Sequence, residues 1–137
     1  MGRTINTDNP GKERNYLTKA VVLAVRELAL KPQPDEEAHD LAAFLALALK
    51  SIARSIDISA AAWEKRGYWV KADRFRMEWL WAGQLSEKMQ NAILAQDWGT
   101  IAVISAQIAQ KVSKVTVAKH HRLGRPWVGA WKKLCKE

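Results

Sequence analysis

Apolar residues recur at helical spacing along most of the chain, and strand-like alternation appears only at Val115 to Val117, which the pattern assigns to a helix end. Asn9-Pro10 can open a first helix, because a proline at the first helical position loses an N–H that has no partner there. Leu17, Ala20, Val21, Ala24 and Leu28 follow that helix to about Leu30, with Val22, Leu23 and Val25 on its other sides, so it should be mostly buried. Lys31-Pro32-Gln33-Pro34 ends it. Asp35 is a suitable cap for a second helix, and Glu36 and Glu37 suit its positive end. Ala38, Leu41, Leu45, Leu49, Ile52 and Ile56 form its apolar stripe, with Lys50 and Arg54 on the opposite face. His39 reads as an exposed first-turn residue.

The central stretch from Ala60 to Met89 holds Trp63, Trp69, Trp79 and Trp81, four of seven tryptophans, interleaved with basic residues. Asp57 or Ser59 would cap this third helix. Gly67 interrupts it, as a kink or as the meeting of two helices, since glycine costs about 1 kcal/mol relative to alanine in a helix interior. Beyond it, Tyr68, Ala72, Phe75, Trp79, Ala82 and Ile93 share one face and form core. Val70, Arg74, Met77 and Trp81 share the other, which is either a second core layer or a docking surface.

Gln96 to Thr100 reads as a turn, with Asp97 or Thr100 as the next cap. The helix that follows runs from about Ile101 to Val117, with Ile101, Ile104, Ile108, Val112 and Val115 inward. Gln107, Gln110, Lys111 and Lys114 make an acid-free polar face suited to phosphate contacts. KHHRLGRP (119–126) is a basic connector. Pro126 can open a short last helix with Trp127, Ala130, Trp131 and Leu134 on one side. The expectation is one all-α domain over 1–137, a five- to six-helix bundle with a long central helix kinked near Gly67 and a loosely held polar start over 1–9.

Composition sharpens this. The chain of 137 residues is long enough for one core, and 48% apolar with 26% charged residues is ordinary for a globular protein. The net charge is +8, and Lys111 to Glu137 hold eight of the 22 lysines and arginines with one of the 14 acids, so +7 of it lies there. A basic end on a near-neutral body points to a polyanion, although a solubilising tail has the same composition. The lone Cys135 cannot form an intrachain disulfide, which fits a reducing, cytoplasmic compartment. The start has no apolar h-region, and Asn6 stands where an acylation motif needs Ser or Thr. No apolar run reaches the roughly 20 residues that span a bilayer.

Motifs for chemistry are missing. His120-His121 are adjacent and so do not share a helix face, and no further ligand stands at metal spacing. There is no P-loop, GxGxxG, HExxH or nucleophile elbow. The reading is therefore non-enzymatic, with no cofactor and no metal. The candidate nucleic-acid contacts are Lys111, Lys114, Lys119, His120, Arg122, Arg125, Lys132 and Lys133, with Lys50, Arg54 and Arg74 as a second patch. The competing reading is a helical adaptor that docks a protein partner through Val70, Met77 and Trp81.

A small basic helical bundle of this kind resembles the small subunit of multisubunit CRISPR effector complexes (Cascade and its relatives). The stretch Trp63-Glu64-Lys65-Arg66, Tyr68-Trp69, Lys71-Ala72-Asp73-Arg74-Phe75-Arg76 and Glu78-Trp79 is similar to that of cyanobacterial-type effector subunits. The family has no firm motif, so no residue role transfers by match. The resemblance implies a non-catalytic subunit, stacked in several copies against other subunits. Its basic side chains would contact the backbone of target or displaced strands, RNA or DNA. It also implies that such a chain can be the separately made C-terminal part of a larger subunit.

Overall fold

Side-chain caps set the starts of three helices. In the computed structural model, which describes residues 9–136, α1 spans Pro10–Ala29, α2 Glu36–Lys65, α3 Trp69–Glu78, α4 Leu80–Leu94, α5 Trp98–Lys111 and α6 Ala130–Cys135. The polar start expected over 1–9 lies outside the described residues apart from Asn9, whose side chain accepts a hydrogen bond from the Lys12 N–H at 3.1 Å. Asp35 caps α2 in the same way, accepting from the Ala38 N–H at 2.8 Å, and Asp97 caps α5, accepting from the Thr100 N–H at 3.2 Å. Each satisfies an N–H that has no partner inside its helix.

The spine is α2, not the aromatic stretch. This helix does not stop at Ile56; it continues through Asp57 and Ser59 to Lys65. Of the expected caps, Asp57 faces Arg76 Nε at 3.6 Å and Ser59 faces Arg14 beside the buried Ser55. Ser55 Oγ donates to the Ile52 carbonyl and accepts from Arg14 Nη1, and Ser59 Oγ lies 3.5 Å from the same nitrogen. Ala60, Ala61 and Ala62 follow, the residues with the highest helix propensity, so nothing ends the helix until Gly67. There the Tyr68 N–H bonds back to the Trp63 carbonyl at 2.9 Å and the Gly67 N–H to Glu64 at 3.0 Å. Gly67 sits at φ +85°, the left-handed geometry of a Schellman stop. Two helices thus meet at Gly67.

Along α2, Leu41, Leu45, Leu49, Ile52 and Ile56 are buried, and so are Ala42, Ala43, Ala46 and Ala48. The alanines let α1 and α4 approach from different sides. Leu17, Ala20, Val21, Val22, Ala24 and Val25 of α1 are buried there, as the nearly all-round apolar pattern requires. From α4 come Ala82, Leu85, Met89 and Ile93, with Ser86 Oγ donating to the Ala46 carbonyl at 2.7 Å. Ile101, Ile104 and Ile108 of α5 complete the core. No helix among the described residues is long and apolar enough to cross a membrane.

The sequence pattern also misplaces features farther along the chain. The helical stretch after Gly67 is bent at Trp79 (φ −110°, ψ 8°), where the Ala82 N–H bonds to the Trp79 carbonyl. On a continuous helix Trp79 and Trp81 would point about 200° apart. The bend changes that phase: their rings stack at 5.6 Å with 25° between planes, and both pack against the core. In addition, α5 ends at Lys111, not at Val117. Val115-Thr116-Val117 lies outside any helix, with the two valines half-buried against the core and Thr116 exposed. A run of β-branched residues disfavours continuing a helix and suits this alternation.

Candidate nucleic-acid interface

The segment after α5 is fastened to α2 by two carboxylates. Glu37 pairs with Arg125 and Lys31, and its Oε2 accepts from Trp127 Nε1 at 3.3 Å. Asp40 accepts from the backbone N–H of Gly129 at 3.2 Å and of Trp131 at 3.0 Å. Trp127, Ala130 and Leu134 are buried beneath these bonds; the last helix starts at Ala130 and not at Pro126, so Trp127 docks from the turn before it. His39, one position before Asp40, is half-buried, not exposed: it lies between Trp98 and Trp131, at 4.9 and 5.4 Å between ring centres. Its Nδ1 lies 2.9 Å from the Asp35 carbonyl. The Asp35 carboxyl is held below its ordinary range chiefly by the Ala38 N–H, with Lys31 adding to it.

This anchoring divides the predicted contact residues. Arg125 is engaged by Glu37 and serves as a tether. Lys111, Lys114, Lys119, His120, Arg122, Lys132 and Lys133 are exposed, and among the described residues no ion pair holds the lysines or Arg122. No Asp or Glu occurs over 111–136. The second patch does not form one surface with them by element: Lys50 (half-buried) and Arg54 (exposed) belong to α2, and Arg74 (exposed) to α3.

A groove of about 640 Å³ runs between α1, α2 and the fastened C-terminal segment. Tyr16, Phe44 and Leu47 lie in its apolar part, and Lys132, Lys133 and Lys136 of the C-terminal wall border it. Sequence reading named two of those lysines but not the groove. Tyr16 sits on α1 outside the stripe that its apolar spacing marks, and helix periodicity does not reveal what packs beside it.

The other conspicuous surface is α3. Trp69 is 61%, Val70 66% and Met77 75% exposed, with Leu80 at the start of α4 59% exposed beside them in sequence, while Ala72 is the one buried residue of α3. What holds α3 down is mostly polar and aromatic. Arg76 forms a two-point pair with Glu64, including an Nη2–Oε1 contact of 3.1 Å. Phe75 packs on Trp63 at 4.8 Å and under the Arg14 guanidinium at 4.9 Å, and Lys71 Nζ lies 4.4 Å from the Trp63 ring centre. Burial lowers the pKa of Arg14, and the bond from Arg76 lowers that of Glu64. Of the candidate docking residues Val70, Met77 and Trp81, the first two are exposed and Trp81 is half-buried against the core; Trp69 and Leu80 are exposed apolar residues that the candidate face did not include.

No family model, curated protein or solved structure matches the chain.

Proposed function

We propose that the chain is a non-catalytic, sequence-independent nucleic-acid-binding subunit of a larger ribonucleoprotein, in the manner of a CRISPR effector small subunit working in the cytoplasm beside copies of itself and other subunits. The observation that supports this reading is the acid-free segment over 111–136, whose exposed lysines and Arg122 have no ion-pair partner among the described residues. Such cations bind phosphates by releasing condensed counterions, a mechanism indifferent to sequence. Sequence would then be read by base pairing elsewhere in the complex.

Anisotropy of the protein with a labelled 20-nucleotide strand tests this. If about four phosphates are neutralised, affinity falls roughly 50-fold between 50 and 200 mM salt, with little dependence on base sequence. An affinity flat across that range, or no binding, overturns the reading for this chain.

A second reading, a helical adaptor, is favoured by one observation: the apolar residues that α3 presents to solvent. It is separated from the first by comparing Lys111→Glu/Lys114→Glu/Arg122→Glu with Trp69→Ala/Met77→Ala. Loss of function in the second variant alone favours the adaptor.

A further inference from the structure

The groove beside α6 combines two properties that a phosphate-binding patch does not need together. Its borders are cationic: Lys132, Lys133 and Lys136 on the C-terminal wall, and no Asp or Glu among the residues that line it. On α1, Lys12 and Lys19 stand four residues before and three after Tyr16, so the same helix face continues the positive charge, and both are exposed. Its lining, in contrast, is apolar and partly aromatic, with half-buried Tyr16 and Leu47 and buried Phe44.

That pairing selects among anionic occupants. A duplex keeps the flat faces of its bases stacked inside and offers phosphate and sugar outside, so it could use the lysines but not the apolar lining. An unpaired strand carries both features within one nucleotide, a phosphate and a base with a free π-face. We propose that this groove binds single-stranded nucleic acid, with phosphates on Lys132, Lys133 and Lys136 and a base laid against Tyr16 and Leu47. The proposal rests on the polyanion reading above and adds to it the strand type and the site.

The test compares a labelled 15-nucleotide thymidine strand with a 15-base-pair duplex, both against the full chain at 50 mM salt. The strand is expected to bind about tenfold more tightly than the duplex. Tyr16→Ala should weaken the strand about fivefold or more and leave the duplex within twofold. Lys132→Glu/Lys133→Glu should weaken both. Because Tyr16→Ala could disturb packing, a strand containing 5-iododeoxyuridine is also photocrosslinked to the unaltered protein, with Tyr16 expected among the crosslinked residues. Duplex bound as well as strand, together with crosslinks only outside the groove, overturns the groove proposal while a steep salt dependence keeps the polyanion reading. Failure of both nucleic acids to bind overturns both. A Glu/Leu-rich helical peptide that binds with the same variant pattern, where the strand does not, would assign the groove to an acidic protein segment instead.

Discussion

Helices α2 and α3 meet at Gly67 and treat their apolar residues in opposite ways. In α2 the stripe from Leu41 to Ile56 is turned inward and contacts neighbours on more than one side. In α3 the helix buries Ala72 and points Trp69, Val70 and Met77 to solvent, leaving attachment to the Arg76–Glu64 pair and to Phe75 between Trp63 and Arg14. The difference shows that richness in large apolar residues does not identify the core. Continuity of a stripe with the stripes of other helices does.

The largest expected effect breaks the comparison at its centre. Leu45 is 0% exposed, so Leu45→Ala should lower unfolding free energy by about 3 kcal/mol in urea titration. Met77→Ala, which removes a side chain of similar size from α3, should change it by less than about 0.5 kcal/mol. Near-equal losses would mean that the outward face of α3 is covered in solution.

A smaller effect concerns how helices stop. Gly67 ends α2 at φ +85° with nothing within 4 Å of where a Cβ would stand, so Gly67→Ala carries strain without a clash and should cost about 1 kcal/mol. The end of α4 uses the same motif with a different residue. The Asp97 N–H bonds to the Ala92 carbonyl at 2.9 Å and Gln96 takes the left-handed position at φ 52°. Gln96→Gly should therefore stabilise by about 0.5 kcal/mol, read from the same denaturation midpoints.

The smallest effect tests the attachment of α3. Arg76 holds the Glu64 carboxyl below its ordinary value of 4.5. A depressed carboxyl pKa contributes stability in full above that value and loses it as pH falls through the folded-state pKa. The pair is partly exposed and solvent screens it, so the effect is modest. The gap in unfolding midpoint between the wild type and Glu64→Gln should narrow between pH 7 and pH 3. A constant gap would show that Glu64 acts through packing alone.

The helical class, the caps Asn9, Asp35 and Asp97, and the inward stripes of α1, α2 and α5 were legible because each depends on neighbours within a turn or two. The length of α2 was not. Asp57 and Ser59 look like cap residues until Arg76 and Arg14 of other helices engage them. Of the candidate interface, the charge over 111–136 was visible as composition. The tethering of Arg125 by Glu37 and the meeting of Tyr16 with Lys132 and Lys133 across one groove join residues far apart in the chain, and no spacing rule reaches them.

The aromatic stretch around Gly67 marks the boundary. By itself the sequence determined that helical pattern lies on both sides of this glycine; that the helix stops there, and the kink of the central helix falls at Trp79 instead, came from the structure. It also determined that residues 111–136 carry charge of one sign. Which tryptophans are core was decided only by tertiary structure. A bend at Trp79 turns Trp81 inward, and the docking of α3 through Ala72 leaves Trp69 outside. A helical wheel assumes one continuous axis, and burial depends on what packs against that axis.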